Sequence, residues 1–161
     1  MSLPDFLLEA SRVLIGLGLA VFIGVPLTLL LARASRGERP EAQAGSPLFL
    51  GGEEGRTAVG RAKFVAAGAL LVGVLLEVQV MGSALPPRHV WRAGVLFLLV
   101  ASLVYSVMVV APKARYYDER SSTFEENLRA PWHARRDAAR ARGSRIDFFG
   151  FLLALLALVL G

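Results

Sequence analysis

The chain reads as all-α, an integral membrane four-helix bundle with a cytoplasmic interfacial helix between its third and fourth spans. Three observations predict this. First, four apolar runs stand out at Val13–Ala32, Phe64–Met81, Ala93–Ala111 and Ile146–Leu160. A helix of about 20 residues crosses a hydrocarbon core of roughly 30 Å, and the first run does so without a charge. Second, 55% of the 161 residues are hydrophobic and the mean hydropathy is +0.54, more apolar surface than a water-soluble domain of this size can hide. Third, the basic residues are concentrated in two segments between the runs. The length suits one compact domain.

The first run predicts a retained span. A cleavable leader needs a basic start, a short apolar stretch and a small-residue cleavage site. Here Asp5, Glu9 and Arg12 precede a longer run. Pro26 removes a backbone donor and predicts a kink. Gly16, Ala20 and Gly24 recur every four residues, a groove of small side chains that lets another helix approach closely. In the second run Ala69 and Gly73 share a face with Glu77. In the fourth, Gly150, Ala154 and Ala157 form a similar face.

Glu77 is the chemically distinctive residue. A charged side chain at mid-membrane costs roughly 2.5 to 3.5 kcal/mol on insertion scales, so it must be paired, protonated or hydrated. Arg12, which opens the first span, and Arg92, which opens the third, are its candidate partners. Ser102, Tyr105 and Ser106 form a second polar cluster on one face of the third span, where hydroxyls bond to helix carbonyls. Thr28 is the one comparable group on the first span and the fourth has none, which argues against a broad aqueous pore.

Between the third and fourth runs, Ser122 with Glu125 and Thr123 with Glu126 have capping-box spacing. Phe124, Leu128 and Trp132 then form an apolar stripe, and Pro131 should end or bend that helix. The following segment, His133–Arg145, runs straight into the fourth span. Its Arg135, Arg136, Arg140, Arg142 and Arg145 suit anionic lipid head groups at an interface. Trp91, Tyr116 and Tyr117 fall where aromatic belts are expected. Asp147 opens the fourth span, where its charge suits the positive end of a helix dipole. The segment 33–63, rich in Gly, Pro, Glu and Arg, reads as a flexible or interfacial linker.

Several chemistries are excluded. With no cysteine, thiol catalysis, disulfides and thiolate metal sites are absent. Gly55–Gly60 imitates P-loop spacing, but Arg61 and Ala62 stand where Lys and Ser or Thr are required. His89 and His133 lie outside the runs, so no intramembrane haem ligand and no zinc pair is expected. No cofactor is predicted. The formal charge of +5 belongs to membrane topology and anionic lipid, not to nucleic acid.

The second half carries LVYSVMVVAPKARYYDE, a polar segment, and RARGSRIDFFGFLLALLALVLG. It resembles a family of small four-span membrane proteins with bacterial members and the eukaryotic transmembrane proteins linked to cisplatin resistance. Pro112–Lys113 and Ser144 fit that family's pattern. Ala141 and Phe148 stand where its signature has His and Asn. The resemblance implies a four-helix layout and brings no mechanism.

Taken together, these features predict a non-catalytic accessory or scaffold subunit packing against other integral membrane proteins. The alternative is a small homo-oligomeric, ion-coupled carrier using Glu77. Of the 18 basic residues, six lie between Arg33 and Lys63 and nine between Lys113 and Arg145. Arg12, Arg88 and Arg92 fall on the other side. The positive-inside rule then places both long segments in the cytoplasm of a bacterial inner membrane, and both termini and the Gly82–Trp91 turn outside. The absence of native cysteine makes the test clean. A cysteine at position 86 should react with a membrane-impermeant thiol reagent on intact cells, and one at position 120 should not; the reverse pattern inverts the topology.

Overall fold

The computed structural model describes residues 3–35, 53–82, 86–123 and 126–160. All are helical or in short connections, and no strand occurs among them. Helix α1 spans Leu3–Ser35, α2 Glu53–Met81 and α3 Pro87–Tyr105. A π-helical turn, Ser106–Val110, joins α3 directly to α4 (Ala111–Thr123), and α5 spans Glu126–Leu160. Among the described residues, four stretches are long and apolar enough to cross a membrane: Leu3–Thr28, Ala58–Met81, Pro87–Arg120 and Ala130–Leu160.

The helices outrun the apolar runs that predict them. Residues 53–63 are helical, so Lys63 lies inside α2 and not in a linker. The notional linker residues 36–52 fall outside the described residues. The third helix does not stop at Pro112. It continues as α4, because the π turn just before the proline supplies i→i−5 bonds, among them Ala111 N–H to Ser106 O. That register absorbs the missing donor and the ring clash that a proline imposes on the preceding turn. Nor does Pro131 end a helix: it sits early in α5, which continues to Leu160. Pro26 is likewise enclosed in α1.

Asp147 therefore stands deep inside α5, and the dipole role expected of it at a helix start does not apply. Ser122 and Thr123 donate back to the Glu119 carbonyl, at 2.7 and 2.6 Å, closing α4 instead of opening the next helix. Phe124 and Glu125 lie outside the described residues. The other ends follow local chemistry. Gly82 takes φ +51 immediately after α2, the left-handed conformation that ends many helices. Pro87 occupies the first turn of α3, where no N–H is missed.

Successive helices pack on one another, α1 on α2, α2 on α3, and α3 on α5, while α4 packs on the first half of α5. One core runs through them: Ile15, Leu19 and Phe22 from α1, Leu70 and Val74 from α2, Leu96, Leu99 and Leu103 from α3, and Leu153 from α5. The small-residue faces divide. Ala154 and Ala157 are buried, and Gly150 admits Ser102 and Phe22 closely. Gly73 is seated against Ile15 and the Ser11 carbonyl. Ala69 is half-buried.

The expected groove on α1 is elsewhere. Gly16 and Ala20 are exposed, and open space surrounds Gly16 and Gly24. The packing face of α1 is instead Ser11, Ile15, Gly18, Leu19 and Phe22. Ile15, Leu19 and Phe22 share one buried cluster with Ala66 and Leu70, and Gly18 fits beneath Leu70.

This packing makes a graded prediction. A Cβ at Gly73 would stand 2.8 Å from Ile15 Cγ1, 3.0 Å from Ser11 O and 3.1 Å from Ile15 N, two of them backbone atoms that cannot swing away. Gly73→Ala should lower stability by about 1–3 kcal/mol through overpacking. Gly16→Ala, in open space, should stay within about 0.5 kcal/mol of the parent. Thermal unfolding of both variants in detergent checks the contrast.

Candidate functional site

Among the described residues two groups of charged side chains are buried in the helical interior, one near each end of the apolar stretch Ala58–Met81 of α2. The first joins three helices. Lys63 on α2 donates from Nζ to Asp147 Oδ1 on α5 at 2.6 Å and to Ser106 Oγ at 3.1 Å. Ser106 Oγ donates in turn to the same Asp147 oxygen at 3.1 Å. Lys63, Ser106 and Asp147 are 7%, 4% and 4% exposed. A lone buried charge would cost several kcal/mol, and here each charge meets its opposite and a hydroxyl bridges them.

Local structure explains how these three groups meet. Ser106 is the first residue of the π turn, and both it and Val110 face inward. Lys63 lies on the same stripe of α2 as Ala66, Ala67, Leu70 and Val74, all buried. Asp147 shares the inward face of α5 with Gly150 and Ala154. Interruptions of this π type are frequent at functional sites, since they re-aim one side chain without ending the helix.

The second group lies at the end where α2 and α3 are joined. Glu77 is 1% exposed. Its Oε1 accepts from Nδ1 of His89 at 2.9 Å, and Nη1 of Arg92 lies 3.9 Å away. Oε2 of Glu77 and Nε of Arg92 are buried without a hydrogen-bond partner. Nearby, Arg88 Nε donates to the Leu160 carbonyl at 2.8 Å, tying the start of α3 to the end of α5.

Of the two expected partners of Glu77, Arg92 is present and Arg12 is not: Arg12 is exposed on α1. His89 was missed because it sits outside the apolar run, yet α3 starts at Pro87 and carries it inward. The expected hydroxyl face also separates. Ser102 donates to the Leu99 carbonyl at 2.8 Å, the helix-backbone bond expected of it. Ser106 belongs to the Lys63 cluster, and Tyr105 is largely exposed. Lys63 and Asp147 were missed as a pair because each was assigned to a segment end. The signal that could have found them is a lone Lys and a lone Asp, each followed by an uninterrupted apolar run.

Between the clusters lie the buried side chains of Leu70, Val74, Leu96 and Leu99. Lys63 and Glu77 are fourteen positions apart on one helix, about 21 Å along its axis. No group of three or more metal-ligating side chains occurs among the described residues.

Outside the interior, the arginines of the first half of α5 do several jobs. Arg136 and Arg140 reach Asp118 on α4, each at 3.5 Å, and Arg136 also reaches Asp137 at 3.1 Å. These two are therefore engaged within the protein rather than left for head groups. Arg135 lies over the Trp132 ring at 5.1 Å, and Trp132 packs beside Tyr117 with centroids 6.4 Å apart. Trp132 thus faces α4. The side chain of Leu128 lies outside the described residues. Arg142 and Arg145 are exposed.

The Lys63–Asp147 contact predicts strong coupling. Lys63→Met or Asp147→Leu alone should cost about 3–5 kcal/mol, because each leaves an uncompensated buried charge. The double variant should recover most of that loss, so the two effects should be far from additive. Unfolding of the three variants under one detergent condition measures this, and additive losses would mean that the pair is uncoupled. In comparisons with known proteins, the chain matches no family model, no curated protein and no solved structure.

Proposed function

We propose that this chain is a non-catalytic integral membrane subunit that packs against another membrane protein. The observation that carries the reading is the separation of its two buried polar clusters by about 21 Å of apolar packing. Each cluster is assembled from side chains of different helices, an arrangement suited to fixing helix positions. No polar side chain of the apolar core links the two among the described residues.

The outer surface supports the same reading. Apolar side chains are exposed along all four long helices, including Leu17, Leu27, Val72, Leu98 and Leu156, as a hydrocarbon solvent allows. On α1 the Gly16–Ala20–Gly24 stripe is uncovered among the described residues, and small residues are what a second membrane helix needs for close approach. The basic segments set the orientation within this proposal: a bacterial inner membrane, with α4 and the first half of α5 at its cytoplasmic interface near anionic lipid. The family resemblance of the second half suits the same four-span layout.

A second reading is favoured by one feature. Glu77 Oε2 is buried without a partner, and its neighbour His89 is partly exposed. A small homo-oligomeric carrier could load a proton or cation there. One preparation separates the readings. In mild detergent the chain should leave native membranes with a different membrane protein at fixed stoichiometry, and Gly16→Leu with Ala20→Leu should abolish that complex while the chain still inserts. Reconstituted alone, it should show no Glu77-dependent flux. Isolation only as a homo-oligomer, with a proton flux removed by Glu77→Gln, would replace the subunit reading with the carrier.

A further inference from the structure

A cavity of about 200 Å³ opens between the π turn, α4 and the first half of α5. Its walls change character with depth along the helices. Val109 and Val110 of the π turn line it on the apolar side, while Lys113, Arg135 and Arg142 supply three cations. Tyr105 and Tyr117 also line it, and Ala138 and Ala139 of α5 leave the space open. No carboxylate lines it. The two acids next to its lining residues in sequence are engaged elsewhere: Asp118 is shared between Arg136 and Arg140, and Asp137 meets Arg136. Among the described residues Lys113 and Arg142 form no ion pair, and Arg135 is held by the face of Trp132 and not by an acid.

We propose that this cavity binds the phosphate of one anionic phospholipid, with the glycerol end of its chains against Val109 and Val110. The proposal rests on the membrane reading above and names a site within it. Three cationic side chains and two tyrosines around one cavity suit a group with several anionic oxygens, because guanidinium forks and an ammonium each donate to phosphate oxygen. The volume far exceeds the roughly 30 Å³ of a single water. The valine side argues for a lipid over a free anion: it belongs to the apolar stretch Pro87–Arg120, so the cavity is basic at one level and apolar at the next. The pairing on α5 sharpens the assignment. Arg136 and Arg140 brace the hairpin through Asp118, whereas Arg135 and Arg142 turn toward the cavity.

The test uses the purified full chain in a neutral detergent at about 0.15 M salt, where fields beyond about 8 Å are screened. Lipid retention is read by native mass spectrometry against added phosphatidylglycerol, phosphatidylcholine, glycerol phosphate or inorganic phosphate. One phosphatidylglycerol should be retained, phosphatidylcholine should not, and millimolar phosphate should not displace it. Lys113→Gln with Arg142→Gln should weaken retention about 30-fold, from the loss of two cations near the phosphate. Arg61→Gln with Arg115→Gln removes the same charge from exposed positions that do not line the cavity, and should change retention less than about threefold on the same screening argument. Lys113→Arg with Arg142→Lys should keep the lipid, showing that the loss follows charge and not misfolding. Equal weakening by both neutralised pairs, or equal retention of phosphatidylcholine, overturns the site. Displacement by inorganic phosphate or glycerol phosphate overturns the lipid source. Loss of the lipid would leave the complex with a partner protein intact, so this inference and the subunit reading can fail separately.

Discussion

The buried contact between Lys63 and Asp147 is the constraint on which the rest of the arrangement depends. It joins α2 to α5, which have little other backbone proximity, and it does so across the π turn of the third helix. Two opposite charges withdrawn from water are tolerable only where their atoms meet. Rotation of α2 by one residue would turn the ammonium by about 100° and leave the carboxylate buried alone. The pair therefore limits the rotation and depth of both helices. Ser106 adds the third helix to the same lock by accepting from Lys63 and donating to Asp147.

The π turn links this lock to the sequence around Pro112. A proline in a helix deletes one bond and presses on the turn before it. Widening that turn accommodates the ring, keeps α4 in line with α3 and leaves Ser106 inward. The same turn supplies Val109 and Val110 to the cavity beside α5. One local accommodation thus shapes both the buried cluster and the basic cleft. At the opposite end, Glu77, His89 and Arg92 hold α2 to α3 beyond their short connection. The two clusters brace α2 near both ends of its apolar stretch Ala58–Met81, and the core between them needs only apolar fit.

That division suits a chain with four helical stretches apolar enough to cross a membrane. Within lipid, apolar surface gains little by moving onto a neighbouring helix, so close backbone approach and polar contacts carry specificity. Gly73 against Ser11 and Gly150 beside Ser102 provide the close approaches. The exposed face of α1 has small residues that no helix covers among the described residues, which distinguishes it from the faces of α2 and α5.

The sequence by itself determined the four helices, since long runs without polar residues permit almost no other backbone arrangement where water is absent. It also marked Glu77 as needing a partner, named Arg92 among the candidates and placed Gly73, Gly150, Ala154 and Ala157 at contacts. Tertiary structure decided what periodicity alone leaves open. Lys63 and Asp147 lie 84 positions apart and read separately as segment ends; only the packing of α2, α3 and α5 shows that each is the other's counter-ion. His89 entered the Glu77 cluster because α3 begins earlier than its apolar run. The Gly16 stripe turned outward because Ile15, Leu19 and Phe22 fit the neighbouring helix better. A spacing of four residues defines a face, but which face is buried depends on the shape of the surface it meets.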